Sequence, residues 1–144
     1  MLFRSPSIVP GRAEMQVQFR DTDTSILARF ERALHELVAD CDRAGPCRVA
    51  ISPLSKSAPA AMDPGFQALI EAAAECHVPG RHLRMPSGAG HDAQILTRRM
   101  RSAMMFVPSL KGISHHWAED TKEADIALGA QVFADAAAAI LKAR

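Results

Sequence analysis

The stretch that decides the fold lies in the second half of the chain, where two short histidine motifs flank an apolar run. The motifs are Gly88-Ala89-Gly90-His91-Asp92-Ala93 and Gly112-Ile113-Ser114-His115, and the run is Ala103-Met104-Met105-Phe106-Val107-Pro108. The run is typical of a buried strand. Small residues before a histidine let the backbone approach a ligand closely. A histidine just past the end of a buried strand is well placed to bind a metal or a substrate.

The segment before this stretch predicts a second, smaller unit. Polar and apolar residues alternate over residues 12–20, which is the pattern of a strand with one buried face. An apolar stripe at helical spacing follows from Ile26 to Cys41, and Gly45-Pro46 ends it. Residues 47–53 predict another strand. Residues 1–54 are therefore expected to form strand, helix and strand, which is half of a two-layer sandwich and too little to stand alone.

The rest of the chain predicts helices that alternate with short apolar strands. Residues 55–61 are interpreted as a linker, and Asp63-Pro64 then opens a helix that runs to about His77. The later predicted elements are a strand over 81–85, a helix over 91–100, the strand at 103–107, and a helix from the capping pair Asp120 and Glu123 to about Leu141. This order indicates an α/β fold with parallel packing over residues 62–144.

Composition limits the class of protein. The 144 residues are 48% hydrophobic and carry a net charge of +1, so we expect a soluble protein without affinity for nucleic acid or membranes. Three cysteines without CxxC spacing argue against disulfides and favour the cytoplasm. We find neither a signal peptide nor an apolar run near the roughly 18 residues of a membrane helix. The basic cluster Arg98-Arg99-Met100-Arg101 is interpreted as a solvated helix end.

Taken together, these residues resemble the C-terminal portion of the amidase/hydantoinase/carbamoylase family, within the wider zinc aminoacylase and peptidase group. That family includes N-carbamoyl-L-amino-acid hydrolases, allantoate amidohydrolases and β-ureidopropionases. The similar segments are Val9-Pro10-Gly11, Phe19-Arg20-Asp21, Met85-Pro86-Ser87 with the first histidine motif, and Met105-Phe106-Val107-Pro108-Ser109 with the second. The two histidine motifs are specific in combination, while either alone would be weak.

The resemblance implies a fold and a division of the chain. It covers about the last third of such an enzyme, in which a smaller lid domain is inserted into the catalytic domain. Residues 1–54 would be the second half of the lid or dimerisation domain, with β-α-β order. Residues 62–144 would be the closing α-β-α-β-α segment of the catalytic domain. The part that carries most zinc ligands and the general base would be absent.

The resemblance also implies roles for individual residues. His115 resembles the family's last zinc ligand, and the adjacent His116 is a rival for that role. A surface-loop histidine is the plainer interpretation of His115. Glu119 is read either as a partner of a histidine ligand or, preferably, as a helix cap.

Four further residues resemble substrate-binding positions. Gly90 and His91 resemble a substrate-contacting pair at a helix N-terminus, although a tight turn that requires glycine would explain Gly90 as well. Arg20 resembles the lid arginine that pairs with the substrate carboxylate, and a solvated edge-strand arginine is the alternative. Ser7 stands where the family usually has an asparagine that touches substrate, which puts that contact in doubt.

Two main hypotheses of function follow. In the first, the chain is part of a zinc-dependent amidohydrolase that cleaves linear amide or ureido C–N bonds of a small substrate with a carboxylate, and is inactive alone. In the second, it is a non-catalytic oligomerising or ligand-binding module derived from the same fold. A zinc site shared between subunits through His91, His115 and His116 is a third possibility, which no spacing supports. Open strand edges predict either a homo-oligomer or association with the missing N-terminal half.

Overall fold

The computed structural model describes residues 9–143. The chain divides into two compact units, Met1–Lys56 and Ser57–Arg144. The helices in chain order are α1 (Thr24–Ala44), α2 (Pro64–His77), α3 (Asp92–Leu96) and α4 (Glu123–Lys142), with a single 3-10 turn at Leu110–Gly112 between α3 and α4. The division into lid, linker and catalytic segment at residues 54 and 62 stays a prediction.

Local capping explains where α1 begins and ends. Asp23 precedes it, and its carboxylate accepts a hydrogen bond from the Ser25 backbone N–H at 2.8 Å. Gly45 ends it with a φ of 61°, and its N–H donates to the carbonyl of Cys41. The predicted helix is therefore confirmed. None of its residues is buried, so its apolar stripe contacts solvent within the described part of the chain.

The first predicted helix of the second unit, α2, is confirmed at both ends. The carboxylate of Asp63 accepts a hydrogen bond from the Phe66 N–H at 2.8 Å, and Pro64 occupies the first turn, where a missing N–H costs nothing. His77 is the last residue of the helix, as expected.

Helix α4 was predicted with a capping pair that the structure does not contain. It begins at Glu123 behind Lys122, without a side-chain cap bond. The carboxylate of Asp120 instead accepts a hydrogen bond from Thr121 N–H, because the chain is still extended there. Acidic Glu123 and Asp125 in the first turn suit the positive end of the helix dipole.

The core of the second unit lies between α2 and α4, the two helices that contact each other. Its buried apolar residues are Ala74, Val132 and Ala136. His77 Nε2 lies 2.7 Å from Asp135 Oδ2 and ties the two helices together. By length and composition α4 could also span a membrane, contrary to our expectation of no such run. Val132 and Ala136 of that helix are buried.

Helix α3 is shorter than predicted. It ends at Leu96 rather than near residue 100, and residues 97–99 form a turn. The hydroxyl of Thr97 donates to the carbonyl of Gln94 at 2.9 Å, a local bond that competes with helix propagation. The arginine cluster therefore follows the helix end.

The predicted strands over 12–20, 47–53, 81–85 and 103–107 are not confirmed, since the described residues contain no strand. A strand needs a neighbour that shares a ladder of hydrogen bonds. Residues 102 and 110 each make one backbone bond to another segment, Asp63 N–H to Ser102 O at 2.8 Å and Leu110 N–H to Asp120 O at 2.7 Å. Phe106 and Val107, expected in a buried strand, are exposed. The sheet of the predicted α/β fold is thus absent from residues 9–143.

Candidate functional site

The first histidine motif places His91 at the N-terminus of α3. Its backbone is extended, with φ −137° and ψ 151°, and its carbonyl accepts the first helical bond from Gln94 N–H. On one side Ser87 Oγ lies 2.7 Å from His91 Nε2. On the other side the ring centroid of Phe106 lies 5.5 Å from that of His91. The imidazole is half-buried and oriented by both neighbours.

Gly90 has no steric requirement for glycine in this structure. A Cβ placed on it meets nothing within 4 Å. Its φ also lies outside the left-handed region that favours glycine. The tight-turn explanation weighed above therefore finds no support among the described residues. The open space in front of Gly90 can admit a ligand close to the backbone.

The second histidine motif lies in a loop over residues 109–120, called here the His115 loop. One backbone bond closes it, from Leu110 N–H to Asp120 O at 2.7 Å. The hydroxyl of Ser109 donates to the carbonyl of Ile113 at 2.6 Å and folds the first half of the loop. Lys111 and Gly112 have φ of 59° and 68°. These bonds give the loop a defined backbone although it contains no regular secondary structure beyond one 3-10 turn.

His115 has a φ of 56°, which side chains other than glycine seldom adopt. Such strain persists only where surrounding contacts hold it, and it is frequent at functional sites. Here the contact comes from Glu119, whose carboxylate accepts a hydrogen bond from the His115 N–H at 2.7 Å. Glu119 therefore contacts the histidine proposed as a ligand, through its backbone, and does not cap a helix as preferred from the sequence.

Both adjacent histidines have Nδ1 engaged, but by partners of different chemistry. Ser114 Oγ lies 2.8 Å from His115 Nδ1, and Nε2 of His115 has no hydrogen-bond partner among residues 9–143. Nδ1 of His116 instead accepts a bond from Ala118 N–H at 3.1 Å, and its ring lies against Trp117, which is 92% exposed. An imidazole whose Nδ1 is held and whose Nε2 is open has the arrangement common among metal-bound histidines. His115 can adopt that arrangement because the Ser114 hydroxyl can accept a hydrogen bond from its Nδ1. Nδ1 of His116 itself accepts a bond, which leaves the proton of a neutral ring on Nε2.

The described residues do not bring a metal site together. No group of three or more histidine, cysteine, aspartate or glutamate side chains lies within metal-binding distance in residues 9–143. A zinc site needs three or four ligands. The structure thus offers His115 as a single donor and does not assemble the His91, His115 and His116 set within one chain.

Arg20 lies in the first unit, apart in sequence from both histidine motifs. Its Nε and one terminal nitrogen donate to the side-chain oxygen of Gln18 at 3.1 and 2.8 Å. The adjacent Phe19 stacks on Phe30 of α1, with ring centroids 5.2 Å apart, and anchors the segment to the helix. Arg20 is exposed. Ser7 lies outside the described residues.

Comparison with known proteins now adds to this geometry. Residues 5–139 match the model of Peptidase family M20/M25/M40. The allantoate amidohydrolase of Escherichia coli (strain K12) is 33% identical over 129 residues, which are 89% of this chain and 31% of that protein. The N-carbamoyl-L-amino-acid amidohydrolase of Rhizobium meliloti is 30% identical over 138 residues, 91% of this chain and 32% of that protein.

A solved structure is also similar to this chain. The crystal structure of an amidase of the hydantoinase/carbamoylase family from Burkholderia phymatum superposes with a TM-score of 0.74 at 36% identity, over 85% of this chain and 29% of that one. This chain therefore spans about a third of the length of the relatives it matches. The resemblance drawn from the histidine motifs is confirmed, and the chain belongs to the M20/M25/M40 peptidase family.

Proposed function

We propose that the chain is the C-terminal part of a zinc-dependent amidohydrolase that cleaves linear amide or ureido C–N bonds. Relatives named allantoate amidohydrolase and N-carbamoyl-L-amino-acid amidohydrolase support this reaction class. The observation that carries the proposal is the His115 loop. Its strained backbone is held by Glu119 and leaves Nε2 of His115 open. We place this protein in the cytoplasm.

The fold in this proposal is the α/β arrangement predicted from the sequence. Residues 1–54 contribute half of a lid, and residues 62–144 contribute the closing segment of the catalytic domain. The extended segments at 12–20 and 103–107 would become strands when neighbouring strands supply the missing hydrogen bonds. The solved relative, whose chain is more than three times as long as the part matched here, supports this interpretation.

His115 is the residue that would hold zinc in this chain, through Nε2. Ser114 Oγ would then accept the proton on Nδ1 and keep the ring in the tautomer that zinc binding requires. Bound zinc supplies Lewis-acid chemistry, because it polarises a carbonyl and lowers the pKa of a coordinated water. The remaining donors and the general base must come from outside the described residues. We therefore expect no hydrolysis by this chain alone.

The other proposed residues bind and orient the substrate. Gly90 leaves open space at the backbone, and His91 beside it is fixed by Ser87 and Phe106. His91 can donate a hydrogen bond to a substrate oxygen, provided its ring turns from Ser87 or presents Nδ1. Arg20 would pair with the substrate carboxylate through two parallel hydrogen bonds. Ser7 would offer only a hydroxyl there.

The metal role of His115 can be tested on the isolated chain. Imidazole ¹⁵N resonances are followed by NMR while zinc is added, in the wild type and in His115→Ala and His116→Ala. We expect the Nε2 resonance of His115 to shift at the lowest zinc concentration, and this shift to survive in His116→Ala. His116→Ala is the matched control because it removes the neighbouring ring. A first shift at His116 or His91 would contradict the assignment.

The reaction class needs a complete site. In the Escherichia coli allantoate amidohydrolase, the matching segment is replaced by residues 5–139 of this chain. Hydrolysis of allantoate and of N-carbamoyl amino acids by this chimera is then assayed. We expect hydrolysis of at least one of them, lost by at least 100-fold in His115→Ala. A chimera that folds and binds zinc without hydrolysing either compound would contradict the proposal. Full activity in the His115→Ala chimera would contradict it too.

A non-catalytic oligomerising module is the second candidate. The observation that favours it is the apolar stripe of α1, none of whose residues is buried. Sedimentation equilibrium of the chain over a wide concentration range separates the two. The non-catalytic module would be favoured if the chain forms a stable homo-oligomer and the chimera neither binds zinc nor hydrolyses either compound.

A further inference from the structure

An open depression of the surface, lined largely by basic residues, lies at the far end of α3 from His91. It has a volume of about 430 Å³, and its wall includes Arg98, Arg99 and Arg101 from the turn after α3 and Asp63 from the start of α2. We call it the arginine cavity. None of the candidate hydrolase residues Gly90, His91 and His115 lines it. The sequence interpretation of these arginines as a solvated helix end did not anticipate a cavity.

One of the three arginines is already neutralised. Arg101 donates from Nε and a terminal nitrogen to both carboxylate oxygens of Asp63, at 2.7 and 2.9 Å. Its guanidinium also lies over the ring of Phe66, 4.4 Å from the centroid. These contacts fix Arg101 in place and make it a wall of the cavity. The Arg101 guanidinium holds the pKa of the Asp63 carboxyl down to about 2, so the pair is fully charged at neutral pH.

Arg98 and Arg99 form no ion pair with any residue of the described chain. Three arginines against one aspartate among the lining residues give this part of the surface a net charge of +2. The hydroxyls in the wall are already donating: that of Thr97 to Gln94 O at 2.9 Å and that of Ser102 to Met100 O at 3.3 Å. Hydrogen-bond donors for a ligand would therefore come from the arginines, whose planar forks match an anion with several oxygens.

We propose that the arginine cavity binds a phosphate group, as free phosphate or as the phosphate monoester of a small molecule. A phosphate monoester carries about −1.5 to −2 charges at pH 7, which matches the net charge of the lining residues. A carboxylate carries one charge and matches less well. The volume lies within the roughly 300–1,000 Å³ typical of small-molecule sites. This binding is independent of the proposed hydrolase reaction.

The proposal is tested by calorimetric titration of the full chain with inorganic phosphate, ethyl phosphate, acetate and chloride at constant ionic strength. We expect saturable 1:1 binding of inorganic phosphate or ethyl phosphate, at least ten-fold tighter than acetate or chloride. The tighter of the two phosphates distinguishes a free ion from an ester. Equal response to all four anions would overturn the proposal, since it would show only general charge screening.

Variants locate the binding. Arg98→Gln/Arg99→Gln should weaken phosphate binding at least ten-fold. Arg12→Gln/Arg48→Gln also removes two positive charges, from two highly exposed arginines of the other unit. It should change the affinity for phosphate less than two-fold. Equal losses in both variants would overturn the assignment. Arg98→Lys/Arg99→Lys keeps both charges and serves as a second variant in case the glutamine pair does not fold. It should weaken phosphate binding less than the glutamine pair does. Unchanged phosphate binding in every folded variant would refute the site.

Discussion

Helices α1 and α4 are similar in length and opposite in what they bury. Helix α1 has a continuous apolar stripe, yet Leu37 within it is 60% exposed and none of its residues is buried. Helix α4 buries Val132 and Ala136 to 4% and 2% exposure, because α2 lies against it. The difference teaches that an apolar stripe indicates which face needs a partner, and that burial requires the partner itself.

The largest expected effect separates the two faces of α4. Val132→Asp should lower the free energy of unfolding by about 3 kcal/mol or more, because it buries an unpaired charge. Phe133→Asp is the matched control, since Phe133 is 64% exposed. It should change the free energy of unfolding by less than about 0.5 kcal/mol. Urea unfolding followed by circular dichroism measures both. Equal losses would show that Phe133 is covered in solution.

A smaller effect concerns the close approach of α4 to the extended segment at 103–107. A Cβ on Gly129 would overlap Val107 Cγ1, so Gly129→Leu should cost about 1–3 kcal/mol of unfolding free energy. Val107→Ala in the same chain should recover part of that loss, because it removes the overlapping methyl groups. Purely additive effects of the two substitutions would exclude this contact in solution.

The acid limb of stability should depend on the Asp63–Arg101 pair. Hydrogen bonds from Arg101 lower the pKa of Asp63 from 3.8 to about 2 in the native state. The resulting stabilisation is complete above about pH 4 and is lost as the pH falls toward 2. The midpoint temperature of thermal unfolding should therefore fall more steeply between pH 6 and pH 2 for the wild type than for Asp63→Asn. The asparagine can still cap the helix. Parallel curves would contradict the shift.

The smallest expected effect lies on α1. Leu37→Glu places a charge on a face that the described residues leave exposed, so we expect less than about 0.5 kcal/mol change in unfolding free energy. The measurement is urea unfolding at two protein concentrations. A loss above about 1 kcal/mol that appears only at the higher concentration would show that a second copy covers the stripe, and would remove the contrast with α4.

Residues that act locally were predictable. Asp23 and Gly45 bound α1, and Asp63 with Pro64 opens α2, because caps satisfy backbone groups within one turn. The motif at Gly112–His115 likewise indicated a loop that presents a histidine, and its combination with the motif at Gly88–Ala93 indicated the family. The capping pair at Asp120 failed, because the chain before Glu123 is held by Leu110 rather than by the helix.

Residues that act over a distance were not predictable. Alternation over 12–20 identified a segment suited to a strand, but pairing depends on a neighbour that the described chain does not provide. The strain at His115 and its support by Glu119 required the folded loop. The arginine cavity required α2 and the turn after α3 to meet at Asp63 and Arg101.

The sequence by itself therefore determined the family and the major helices, since these depend on residue type and short spacing, and it predicted which residues would bind metal or substrate. Only the tertiary structure decided which apolar faces are buried, which ring nitrogen of His115 stays open, and that two arginines share a cavity without partners. These properties depend on contacts between segments distant in sequence, and the free energy of such contacts is set by geometry that residue types alone do not specify.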